Sequence, residues 1–377
     1  MSHLDRFPKL TEAEYRHILR TPTGKVRCVI DTDARNEIDD QFALAWALLC
    51  QDQLQIEAMY AAPYSFRNRL EEIRHAAQIR QQARTPDPNE RALLNRYSGQ
   101  LDRLASKGLD VFDDAQIDPQ NVTMVSPAVG MEKSYEEILI CYDKLGMDHG
   151  DKVFRGSDRY LGSYDTPVES DTVTHLIALA RTATPDDPLY IVAIGAPTNI
   201  ASALLLAPEI IRNIVVTWTA GYPTTIMDKF QESFNMEQDM LASQLLFDSG
   251  VPMVYLPGFH VGAQLSLSLP EMDAWVKGQG AMGDYLYELY TNNPHYPFQG
   301  LDDHFGRTWI IWDLINFAWL MQPDWVPSYF IDAPYLTDDQ KWIRKDKPRH
   351  LMREGLDINR NAIYRDFFAR LAQHASK

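Results

Sequence analysis

The stretch CVIDTDARNEIDDQFALAWALL, Cys28 to Leu49, holds four aspartates and one glutamate within ten residues, Asp31 to Asp40. Asp31, Asp33, Asp39 and Asp40 offer hard oxygen donors of the kind that bind Ca2+ or Mg2+. Like charges this close repel, and a divalent cation would offset that repulsion and hold a water molecule. A neighbouring carboxylate could then deprotonate that water. The same residues also read as a solvated acidic turn at a helix start, where Asp and Glu suit the macrodipole. The loop is no EF-hand, because a helix follows Asp40 and no Glu occupies the twelfth position. Far downstream, Asp313 sits in Trp309–Met321, an almost wholly apolar run. An unpaired carboxylate there would cost several kcal/mol to bury. It needs either a cation or a partner such as Arg307.

The elements that position these groups follow from the apolar pattern. KVRCVI (Lys25 to Ile30) is short and β-rich, so it predicts a buried strand, and Ile38 to Leu49 has helical spacing. Strand, acidic loop and helix form the opening unit of an α/β fold. The alternation continues: strands at Gln55–Ala62, Lys152–Ser157, Leu189–Gly195, NIVVTWTAG and PMVYLP, with helices between them. This predicts an α/β protein with a mostly parallel central sheet flanked by helices, a Rossmann-like core. Ligands in such sheets sit at the carboxyl ends of the strands, which is where the acidic loop falls. The chain is expected to form a single domain over 1–377, with a helical insertion at about 64–127. The insertion predicts two helices, about Phe66–Ala83 and Asn89–Lys107, with Leu93, Leu94, Tyr97, Leu101 and Leu104 at helical spacing. It reads as a helical layer on the main domain, with a lid or an oligomer contact as other uses.

Composition excludes several classes. A net charge of −16 argues against nucleic acid or an anionic membrane as the main partner. Three scattered cysteines suit neither a disulfide framework nor a zinc cluster, and point to a reducing compartment. The N-terminus shows no signal-peptide pattern, and no run of about 18 apolar residues spans a membrane. A cytoplasmic location is the expectation.

Two families share the DxD. Haloacid dehalogenase-type phosphatases place Thr or Val two residues after its second Asp, where this chain has Arg35. The chain more fully resembles the nucleoside hydrolase family (inosine/uridine-preferring type), whose opening motif is DxDPGxDDAxA. Here it stands as DTDARNEIDDQFA, two residues longer. AIGAPTNIASAL, ESFNMEQDMLASQLLFDSGVP, IIWDLINFAWLMQPDW and LDINRNAIYRDFFARL are similar to later family segments, in the same order.

The resemblance implies a Ca2+-dependent hydrolase that cleaves the N-glycosidic bond of a purine ribonucleoside or related N-riboside. Asp33 would be the general base on metal-bound water and also touch the ion. Asp40, the carbonyl of Ile194 and Asp313 would complete the protein ligands. Asp39 and Asn235 would contact the ribose, with Glu232 beside them, although E-S-F-N here shifts the Glu by one position from E-F-N. Trp312 stands where many members have a His, and would stack a purine; it also reads as core. The ribose contact expected after the second strand is missing from YAAPY, and Tyr222 replaces part of a GGN pattern. His260 and His304 could approach a leaving group from late loops. These departures leave a second reading, a ribose- or nucleoside-binding protein of the same fold with little turnover. The partner is expected to be a small nucleoside-like molecule, and a homo-oligomer is possible. The longer loop is expected to bring Arg35, Asn36 or Glu37 to the pocket rim.

Overall fold

The computed structural model describes residues 3–117, 125–293, 307–345 and 347–376. Strands β1 (Val26–Thr32), β2 (Leu54–Ala61), β3 (Val153–Arg155), β4 (Leu189–Ala193), β5 (Ile214–Ala220) and β6 (Met253–Pro257) are joined by helical crossovers. β7 (Ser266–Ser268) and β8 (Thr308–Ile310) form a small ribbon, as do β10 (Tyr335–Leu336) and β11 (Trp342–Ile343). β9 (Ser328–Asp332) and β12 (Leu351–Gly355) complete an eight-stranded sheet in the order β3-β2-β1-β4-β5-β6-β12-β9. Every pairing in it is parallel except β12 with β9. The expected mostly parallel α/β sheet is therefore present.

Alternation along β1 places Cys28 and Ile30 in one apolar cluster and Val29 in the other. The first cluster takes helices 39–49, 314–321 and 360–375; the second takes 171–180, 198–206 and 240–248. Burial on both faces explains why these strands read as near-continuous apolar runs. The chain moves outward from β1 to β2 and β3, then returns to β4 on the opposite side of β1. The strand order thus reverses between β1 and β4, the point at which such sheets open a crevice for ligands. Asp33 follows β1, and Ile194 follows β4.

In the inserted segment, the helices are Arg67–Gln81 and Pro88–Ser106, with an unanticipated short helix at Asp114–Ile117. Residues 118–124, near the end of the expected insertion, lie outside the described residues. Pro88 opens the second helix, and the Asp87 carboxylate accepts the Asn89 and Glu90 amides, which explains the break at RTPDPNE. Tyr97 and Leu101 are buried with Leu70 and Ile73 in a cluster of their own. Phe66 joins the segment to the main body by stacking on Phe234, ring centroids 3.7 Å apart.

Candidate active site

The acidic residues enter on two helix N-termini. Asp39 and Asp40 open helix Asp39–Leu49, and Asp313 precedes helix Leu314–Met321 without capping it. Oxygen atoms of Asp39, Asp40 and Asp313 all lie within 4.8 Å of one another, and all three residues are buried. Two positive helix ends offset only part of the repulsion. Burial first, and the neighbouring carboxylates second, hold all three far above the usual carboxylate range. Thr32 donates its hydroxyl to Asp40. Arg307 donates to the carbonyl of Thr291, and the largest charges acting on Asp313 are those of Asp39, Asp40, Asp33 and Glu37.

Asp33 lines the same cavity but stands outside the close trio. Its Oδ2 accepts Gln238 Nε2 at 3.2 Å and Asn36 Nδ2 at 3.3 Å. In the metal-free site burial pushes its pKa up to about 7, against the Gln238 hydrogen bond and with help from Glu37. Gln238 is itself fixed, because its Oε1 accepts the Ser65 amide and the Tyr160 hydroxyl. Behind this layer, Asn199 donates to Asp31 Oδ1 at 2.7 Å and accepts from the Ser157 amide and hydroxyl. Gly156 is required there, since a Cβ would lie 2.0 Å from the Ala61 carbonyl.

The cavity holds about 210 Å3 and is walled by Asp33, Asp39, Asp40 and Asp313 together with Ile194, Asn235, Glu232 and Trp312. The structure therefore brings all eight predicted site residues to one place. Asn235 Nδ2 donates to the carbonyls of Ile194 and Thr219, so its donor group ties β4 to β5. Glu232 is exposed at the rim, with a left-handed φ of 52°. Trp312 is half-buried, edge-on to Trp309 with ring centroids 6.5 Å apart.

Of the loop residues, Asn36 and Glu37 line the cavity. Arg35, at φ 78°, instead reaches Glu137, whose carboxylate also accepts from Gln41 and Tyr285. His260 is exposed beside the Tyr222 ring, and Tyr222 stacks on Phe259, a cavity residue. His304 lies outside the described residues. Sequence reading missed Gln238 and Arg69. Gln238 was in view within the ESFNMEQDM segment, whereas Arg69 belongs to the insertion and carried no signal.

Three carboxylates converging to this distance fit one hard divalent ion. Two oxygens bound at about 2.3–2.6 Å to one ion can be at most about 5 Å apart, which the 4.8 Å grouping meets.

Over residues 28–354 the chain matches the family model described as inosine-uridine preferring nucleoside hydrolase. The structure is similar to the purine-preferring ribonucleoside hydrolase from Gardnerella vaginalis (TM-score 0.61, 16% identity, 93% of this chain and 99% of that chain). It is also similar to the inosine-uridine preferring nucleoside hydrolase from Bacillus anthracis (TM-score 0.53, 14% identity, 93% and 100%). A further likeness is to type III effector protein XopQ complexed with adenosine diphosphate ribose (TM-score 0.54, 14% identity, 97% and 99%). No curated protein matches the chain by sequence. At these identities the structural likeness speaks for the fold, while the family rests on the sequence match: the chain belongs to the inosine-uridine preferring nucleoside hydrolase family.

Proposed function

We propose that this protein is a Ca2+-dependent N-ribohydrolase acting on a purine ribonucleoside or a related N-riboside. The observation that carries the proposal is the buried trio Asp39, Asp40 and Asp313 in one cavity with Asp33. Asp40 and Asp313, with the Ile194 carbonyl and an oxygen of Asp33, would hold the ion, and Asp39 stands close enough to join them. A hard divalent cation there supplies charge compensation and Lewis acidity.

Asp33 takes the proton of the attacking water. Burial raises the Asp33 pKa in the metal-free site, and a bound cation would lower it again and leave the carboxylate ionised to accept that proton. Gln238 and Asn36 orient its carboxylate. Water adds to the anomeric carbon as the bond to the base nitrogen breaks, and the base leaves with the bonding electrons. The sugar passes through an oxocarbenium-like state, which carboxylates around it stabilise. Asp39 and Asn235 would address the ribose, with Glu232 at the rim, and Trp312 would stack the base. Main body and insertion act as one domain in this reading.

A second reading is supported by Asn235, whose donor group is spent on backbone, and by the likeness to a protein complexed with adenosine diphosphate ribose. It is a riboside-binding protein of the same fold with little turnover. Release of base and ribose from a nucleoside panel, with and without EDTA, separates the two. Turnover that EDTA abolishes supports the hydrolase. No turnover, with Ca2+ still raising the melting temperature, sinks it.

A further inference from the structure

Arg69 is the one cationic side chain among the described residues that line the carboxylate cavity. It comes from the first inserted helix, and its Nε donates to Glu237 Oε1. Its guanidinium lies 5.0 Å from the Phe66 ring centroid and 5.3 Å from that of Phe234. Arg69 and Glu232 also line a second cavity of about 600 Å3, together with Arg96, Tyr97, Gln100 and Phe230. Arg96 repeats the arrangement, 5.3 Å over Tyr97 and 5.0 Å over Phe230. Its carboxylate contacts are long, 3.4 Å to Glu72 and 4.0 Å to Glu237.

Both guanidiniums thus rest on ring faces at one cavity and share Glu237, Arg96 at the longer distance. Stacking occupies the face of a guanidinium, and with the Arg69 Nε given to Glu237 its terminal N–H groups are the ones that can bind an oxyanion. The first cavity alone is smaller than the roughly 300–1,000 Å3 common for small-molecule sites, whereas the second falls inside that range by itself.

Trp312 and Arg69 line the first cavity from different elements. Trp312 stands by Gly258 and Gly262, whose added Cβ atoms would meet its Cδ1 at 3.7 and 3.4 Å. Arg69 stands over Phe234, which directly precedes Asn235. With the base against Trp312 and the ribose at Asn235, a group near Arg69 is carried by the sugar. Asp33, Asp39, Asp40 and Asp313 repel an anion, so of the described residues that line this cavity only Arg69 can receive it, in competition with Glu237.

We infer that the second cavity is a subsite for a phosphate carried by the ribose, with Arg69 and Arg96 as its donors, so that the protein favours phosphorylated ribosides over plain nucleosides. This rests on the riboside reading of the carboxylate site.

The test compares inosine with inosine 5′-monophosphate in Ca2+, by kcat/KM and by calorimetric Kd. The wild-type protein should favour the monophosphate by about ten-fold or more, the scale of one or two charge-assisted hydrogen bonds. R69Q and R96Q should each collapse that preference toward one, with R69K retaining part of it. Added salt should weaken the monophosphate more than inosine. A wild-type ratio at or below one overturns the subsite, as does a ratio that survives in both folded variants. If neither compound is hydrolysed, the Kd values still decide. Monophosphate binding that R69Q or R96Q weakens supports the subsite while the hydrolase reading fails. Binding indifferent to both variants, or no binding of the monophosphate, overturns it.

Discussion

Gly195 is packed so closely on Asp33 that a Cβ at this position would lie 2.8 Å from the Asp33 carboxyl carbon. The glycine after Ile194 therefore sets how far the Asp33 side chain can swing toward β4. Gly195→Ala should lower kcat/KM by about 10- to 100-fold, because misplacing a reacting group by about 1 Å costs that order of rate. The overpacking itself should cost about 1–3 kcal/mol in denaturant unfolding. Unaltered kcat/KM in a folded variant would show that Asp33 does not need this placement.

Asp33→Asn keeps the shape and removes the base. The proposed role predicts a fall in kcat of about 10²–10⁴. Without metal its melting temperature should match or exceed that of the wild type, since burial disfavours the charged form of Asp33. Near-normal turnover in this variant would remove Asp33 from the chemistry.

Metal and pH should be linked. Burial raises Asp31 and Asp33 to about 7, and raises Asp39, Asp40 and Asp313 as well. In the metal-free protein the folded state therefore binds more protons than the unfolded state from about pH 4 to 7, so stability falls as pH rises across that window. Ca2+ competes with those protons, and its stabilisation should grow from pH 5 to pH 8. Scanning calorimetry at several pH values with Ca2+ or EDTA checks this. A Ca2+ shift that is flat with pH would place the ion elsewhere.

Asn199 bridges Asp31 to the Ser157 amide and hydroxyl in a fully buried layer. Asn199→Ala should cost about 2–4 kcal/mol, because it leaves several buried polar atoms without partners. Urea unfolding of the metal-free protein measures it. A loss under 1 kcal/mol would mean that water replaces the amide.

The sequence by itself determined the α/β alternation, since each strand's apolar run reports burial on both faces of a sheet. It also determined the two chain positions where carboxylates meet apolar surroundings, Asp31–Asp40 and Asp313, because buried charge is costly wherever it occurs. The family segments carried Ile194, Asn235 and Trp312 to the same site. Only the tertiary structure decided that Asp39 stands with Asp40 and Asp313 in the close trio, because that depends on where two helix ends meet. It also turned Arg35 away to Glu137 and brought Arg69 of the insertion to the cavity wall. Periodicity records what a residue's own element buries. Which elements face one another follows from sheet order and loop path, and no local pattern of residues carries that.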